Sequence, residues 1–140
     1  MIVLDTNIIS ELWKIGPNPN VLAWVNAQAI ETLYLSAITV AELRYGILTM
    51  PEGKRRTIYL DRLERDVLPA FTARILPFDL NASQIYANLM AQARTAGKAI
   101  GIADGYIAAI AKTRGFSIAT RDVAPFQAAC LNTINPWEST

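Results

Sequence analysis

The sequence predicts an α/β fold, a central sheet of parallel strands covered on both faces by helices, and three observations predict it. Short β-branched and aliphatic runs such as Ile2-Val3-Leu4 alternate with longer segments whose apolar residues recur at helical spacing. Strands separated by helices pair in parallel through right-handed crossovers. The composition, 52% hydrophobic and 18% charged over 140 residues, suits a compact chain with a substantial core. Residues 1–140 are accordingly read as one domain, with no repeat, low-complexity tract or linker.

Each element can be justified in turn. Ile2 to Leu4 is the first strand, and Asp5-Thr6-Asn7 turns it into a helix carrying Ile8, Ile9, Leu12 and Trp13. Gly16-Pro17-Asn18-Pro19 breaks the chain before a second helical face with Val21, Leu22, Trp24 and Val25. Thr32 to Ala37 holds good strand formers, and Thr39 opens a helix through Leu48 that ends at Met50-Pro51-Glu52-Gly53. Lys54 to Leu68 reads as one amphipathic helix that gathers five of the thirteen cations, by default a solvated face. A short strand at Arg74 to Leu76 precedes a helix from about Ala82 to Ala96, stopped by Gly97. Ile102 to Arg114 is a further helix with Gly115 as its stop, Phe116 to Thr120 a strand, and Leu131 to Ile134 the last one. Trp13, Trp24 and Trp137 are read as core or interface residues.

Composition excludes several function classes. With no His, neither a Ser-His-Asp nor a Cys-His mechanism can operate, and a single Cys130 completes neither a disulfide nor a zinc set. The start lacks the layout of an export signal, and no run approaches the roughly 18 apolar residues of a membrane span. The expectation is a soluble, cytoplasmic protein. Catalysis would have to run on carboxylates, Lys, Tyr or an oxygen-held metal.

Ligands of open parallel sheets sit beyond the carboxyl ends of the strands. Asp5 closes the first strand, Glu42 lies in the helix after the second, and Asp122 follows the strand ending at Thr120. Asp104 lies in the first turn of Ile102-Ala103-Asp104-Gly105-Tyr106, whose start falls on the same edge of the sheet. Four carboxylates without His or Cys are ligands for a hard cation, Mg²⁺ or Mn²⁺. Such an ion suits phosphodiester hydrolysis, because it polarises the phosphoryl oxygen, acidifies water and neutralises transition-state charge. Thr6, Asn7 and Thr120 are candidates to orient the acids or hydrogen-bond the ion's waters. Each acid also has a structural reading: Asp5 or Thr6 can cap the first helix, and Thr39-Val40-Ala41-Glu42 matches a capping box. Asp104 favours its helix dipole, and Asp122 is a common turn residue.

Val3-Leu4-Asp5-Thr6-Asn7, Ser36-Ala37-Ile38-Thr39-Val40-Ala41-Glu42-Leu43, Ala103-Asp104-Gly105-Tyr106-Ile107-Ala108-Ala109 and Ala119-Thr120-Arg121-Asp122, in this order, resemble the PIN domain, and more narrowly its VapC-type, FitB-like toxins. Ile75-Leu76-Pro77-Phe78-Asp79 and Asn135-Pro136-Trp137 extend the resemblance over nearly the whole chain. It implies a five-stranded parallel sheet and a Mg²⁺- or Mn²⁺-dependent ribonuclease, the toxin of a type II toxin–antitoxin pair. Asp5 and Asp104 then correspond to the central metal ligands, Glu42 to a third acid and Asp122 to a fourth. The resemblance also implies a homodimer and an antitoxin that inserts a basic side chain among the acids and carries the complex to operator DNA. The alternative reading is a regulatory protein whose acidic pocket mainly receives that antitoxin, with little turnover. A phospho-acceptor receiver or a haloacid-dehalogenase-like phosphatase fits poorly, since the chain has Asp5-Thr6-Asn7 in place of Asp-x-Asp and no Lys after its last strand.

Overall fold

The computed structural model describes residues 1–138; Ser139 and Thr140, part of the expected domain, lie outside the described residues. Five strands form one sheet: β1 (Ile2–Leu4), β2 (Leu33–Ser36), β3 (Ile75–Leu76), β4 (Ser117–Ala119) and β5 (Thr133–Ile134). Their spatial order is β3-β2-β1-β4-β5, and every neighbouring pair is parallel. The chain thus builds outward from β1 to one edge and then returns to build toward the other. The crevice between β1 and β4 is where the winding direction switches.

Alternation along these short strands feeds two separate cores. Val3 and Ile118 point to the face covered by α6 (Leu80–Thr95), α7 (Ile102–Arg114) and α8 (Ala124–Ala128), where Leu89, Ile107 and Phe126 are buried. Leu4, Leu33, Leu35 and Ala119 point to the other face, against α1 (Thr6–Leu12) and α3 (Ala37–Leu48). A second helix, α2 (Pro19–Ala27), follows α1, with Pro19 at its start and Asn18 as its cap. No helix among the described residues is long and apolar enough to cross a membrane.

Several boundaries differ from expectation, among them the start of α3 at Ala37 rather than Thr39 and of β5 at Thr133 rather than Leu131, and three elements differ for a physical reason. The helix expected over Lys54 to Leu68 is α4 (Lys54–Asp61), then a π-helical turn at Arg62–Val67, then α5 (Leu68–Ala70). Pro69 has no N–H to give back to Arg65, and the wider turn lets the chain reach it without a broken helix. Its basic face is largely solvated: Lys54, Arg55 and Arg65 are exposed, Arg65 pairs with Asp61 at 2.9 Å on the surface, and the Arg55 and Arg62 guanidiniums lie over the Tyr59 ring. Helix α6 starts at Leu80 rather than Ala82 because Asp79 caps it, accepting the Ala82 N–H at 2.9 Å. Helix α8 was not expected, being only five residues long, yet it carries the fully buried Phe126.

Candidate active site

The end of β1 delivers Asp5 into the crevice at the switch point, and β4 delivers Thr120 beside it. Asp5 is 6% exposed and Thr120 wholly buried. The Thr120 hydroxyl donates to Asp5 Oδ2 at 2.8 Å, and the Thr6 N–H donates to Oδ1 at 2.8 Å. Asn7 reaches both partners through its amide, at 3.3 Å from Thr120 Oγ1 and 3.5 Å from Asp5 Oδ2. Asp5 also caps α1, so its structural reading holds at the same time as its place in the cluster.

Glu42 stands exposed on α3, where the Thr6 hydroxyl donates to its Oε1 at 2.7 Å. The capping box expected at Thr39 does not form. Ser36 caps α3 instead, accepting the Thr39 N–H at 3.0 Å, and Glu42 is left to face β1. The Ser36, Thr39 and Thr6 hydroxyls follow one another at 3.2 Å. Each hydroxyl has one proton, and that of Thr6 goes to Glu42, so the run donates in one direction from Ser36 to the carboxylate. Thr6 is therefore a bridge between the β1 and β2 ends rather than a cap.

Asp104 sits in the first turn of α7, half-buried, and Asp122 is exposed after β4 with its N–H donated to Thr120 Oγ1 at 3.1 Å. Close packing sets the position of α7: a Cβ on Gly105 would lie 2.7 Å from Met90 Sδ and 3.0 Å from the Tyr86 ring. A larger residue here would have to displace the flexible end of Met90 and crowd the Tyr86 ring.

The four acids share one electrostatic field. Burial pushes the Asp5 carboxyl up to about 6, the Thr120 and Thr6 hydrogen bonds partly oppose this, and Asp104 and Glu42 add to the rise. Asp104 is raised by burial first and then by Asp122 and Glu42. Among the described residues no group of three or more acids closes into a cage for a metal ion. The donor set is nonetheless all oxygen, and an ion that keeps most of its waters and takes one or two carboxylates needs no cage.

Sequence reasoning missed Glu11. It too is 6% exposed, on α1, and it accepts the Asn18 N–H at 3.1 Å, the Lys14 ammonium at 3.0 Å and the Trp137 indole N–H at 3.3 Å. Its only local signal was the Lys14 three residues on.

A PIN domain model matches residues 2–130 of this chain. The chain belongs to the PIN-domain family. This PIN domain is 69% identical to the VapC ribonuclease Y4jK of Sinorhizobium fredii over 138 residues, covering 99% of both chains. It is 50% identical to toxin FitB of Neisseria gonorrhoeae over 137 residues, covering 98% of this chain and 99% of that one. A structure of FitAB bound to an IR36 DNA fragment matches it with a TM-score of 0.97 at 47% identity, covering 100% of this PIN domain and 98% of the other.

Proposed function

We propose that this PIN domain is the toxin of a toxin–antitoxin pair and a metal-dependent endoribonuclease, with Asp5, Glu42, Asp104 and Asp122 as its catalytic acids. The observation that carries the reading is the pairing of a buried carboxylate, Asp5, with Thr120 at the switch point, inside a field of three further acids. Repelling carboxylates are costly to gather without a counter-charge, and the all-oxygen set fits Mg²⁺ or Mn²⁺. When bound, such an ion supplies a Lewis acid for the phosphoryl oxygen and acidifies water.

The protein's own part is positional. Thr120 and the Thr6 N–H partly oppose the rise in the Asp5 pKa, and together with Asn7 they fix its orientation. Thr6 aims Glu42 at the same crevice, and the α7 N-terminus brings Asp104 in with backbone N–H groups that favour an anion. Asp104 and Asp5 are the residues to hold the ion, with Glu42 and Asp122 available directly or through its waters.

The relatives named VapC ribonuclease and toxin FitB support the reaction class, and the FitAB–DNA structure supports an antitoxin partner that reaches DNA. That partner would place a basic side chain among the acids. The expected form is a homodimer, which light scattering at micromolar concentration checks. The test of the reaction is cleavage of single-stranded RNA by the chain freed of any partner, with added Mg²⁺ or Mn²⁺; undiminished cleavage in EDTA removes the metal mechanism. The DNA-bound relative also favours a second reading, a regulatory binder with little turnover, and a partner-free chain that leaves RNA uncut would establish it.

A further inference from the structure

A pocket of about 290 Å³ opens between α1, α3 and α4, and two of its lining residues, Thr6 and Glu42, belong to the acidic cluster. It therefore begins at the carboxylates and leads away from them. Its walls change character along that path. Trp13 and Tyr59 come together with ring centroids 5.5 Å apart and planes inclined by 34°, and Lys14 and Arg55 complete the lining. The Arg55 guanidinium lies 5.7 Å from the Tyr59 centroid, and Lys14 is held by Glu11 at 3.0 Å. Both cations are exposed at the pocket, each with one contact that limits its range, Lys14 through its ammonium and Arg55 over the ring.

Anionic reagents meet opposite fields at the two ends of this pocket, repelled by Glu42 unless a cation intervenes and attracted by Lys14 and Arg55. A nucleotide offers the matching pair of features, a planar base for an aromatic wall and a phosphate for a cation. The volume falls at the lower limit for ligand pockets, about 300 Å³, and cannot seat a helix roughly 10 Å across. We propose that this pocket is the subsite for one nucleotide of the RNA strand adjoining the scissile phosphodiester, its base against Trp13 and Tyr59 and its phosphate toward Lys14 and Arg55. The inference rests on the ribonuclease reading above and adds where the strand lies.

The test uses the full chain without a partner and a fluorescently labelled single-stranded RNA of about 12 nucleotides, with binding measured both in EDTA, where no cleavage occurs, and in Mn²⁺ before cleavage sets in, where the acids' charge is offset. Trp13→Leu is expected to weaken binding about tenfold, the size of one lost base–aromatic stack, and Trp13→Phe to recover most of it. Gly46 also lines the pocket, and a Cβ there meets nothing within 4 Å. Gly46→Leu therefore fills the space without straining α3, and it should weaken RNA binding to a similar degree while the melting temperature holds or rises. RNAs carrying one abasic position at a time should show a single position whose loss costs the parent about tenfold and costs Trp13→Leu nothing further. The measurements also separate this inference from the function it rests on. A parent that binds RNA but never cuts it with Mn²⁺ sinks the ribonuclease reading and leaves the subsite standing. A parent that cuts, with RNA affinity and KM unchanged in both Trp13→Leu and Gly46→Leu, sinks the subsite alone. Loss of a partner protein's binding in those variants, with RNA affinity intact, makes the pocket a protein site and overturns the proposal. A parent with no affinity for RNA overturns both.

Discussion

Asp5 and Glu11 lie six residues apart in one strand–helix unit, each 6% exposed, Asp5 deep in the protein and Glu11 close beneath its surface, and have opposite electrostatic fates. Glu11 is satisfied: the Asn18 N–H, then Lys14, hold its carboxyl below the usual range, with the Trp137 indole N–H assisting. Asp5 is not: burial outweighs its hydrogen bonds and its nearest charged company is acidic. A buried acid surrounded by donors closes a structure, whereas a buried acid surrounded by acids stores an imbalance that a cation can relieve. The same side-chain chemistry serves as a rivet in one place and, on the function proposed above, as a receptor in the other.

Removing each charge in turn tests this contrast most severely. Asp5→Asn should abolish RNA cleavage, by more than about 100-fold, and raise the melting temperature of the metal-free protein near neutral pH. Glu11→Gln should lower the melting temperature, because Lys14 loses its counter-charge. Thermal melts in EDTA that fall for both variants would show that Asp5 is structural like Glu11.

The pH dependence of stability offers a second probe. The Asp5 pKa rises from 3.8 in the unfolded reference to about 6 when folded, so between those values the folded protein holds the extra proton. Stability therefore falls as pH rises through this window, by on the order of 3 kcal/mol for this group alone. Glu11, shifted downward, contributes with the opposite sign, its stabilisation being lost as pH falls through its folded value. Melts of parent and Asp5→Asn across the window, without metal, should differ in slope. Parallel profiles would refute the assignment.

Thr120 is the hinge of the contrast, since its hydroxyl is what Asp5 has in place of Glu11's cation. Thr120→Val should cost about 10- to 100-fold in activity or metal affinity, and Thr120→Ser much less. Equal losses would mean that the methyl group's packing, not the hydroxyl, is what matters.

The smallest expected effect on stability is at Asp104, half-exposed and so partly screened. Asp104→Asn should abolish cleavage while leaving the metal-free protein no less stable, and at most about 1 kcal/mol more so. Mn²⁺ should raise the parent's melting temperature more than the variant's, because binding to the folded state stabilises by mass action. Equal shifts remove Asp104 from the site.

How much of this could be read in the chain differs by residue. The alternation of strands and helices was legible because Ile2-Val3-Leu4 and Ser117-Ile118-Ala119 are mostly apolar runs ending in polar residues, and a parallel sheet puts such ends together. Thr120 and Asn7 were legible as neighbours of acids. The role of Thr6 was not, because capping and bridging use the same residue type at the same place, and only the distance to Glu42 separates them. Glu42 misled by matching a capping box that Ser36 pre-empts. Glu11 was invisible because its partners Asn18 and Trp137 come from a loop and from 126 residues away, which no local periodicity encodes. The Lys54–Arg65 segment looked like a plain helix because a π turn changes the hydrogen-bond step without changing the apolar pattern much.

The Asp5–Thr120 hydrogen bond joins residues 115 apart in sequence. Synthesis from the N-terminus delivers Asp5 well before Thr120, and domains complete their long-range contacts only when the distant strand is available. Until β4 slots in beside β1, Asp5 has neither its oriented hydroxyl nor the Asp122 loop that hangs from the same oxygen, and its crevice has only one wall. A chain in which β4 has not yet docked therefore cannot present Asp5 in its final hydrogen-bonded form, however well β1, β2 and β3 have already paired.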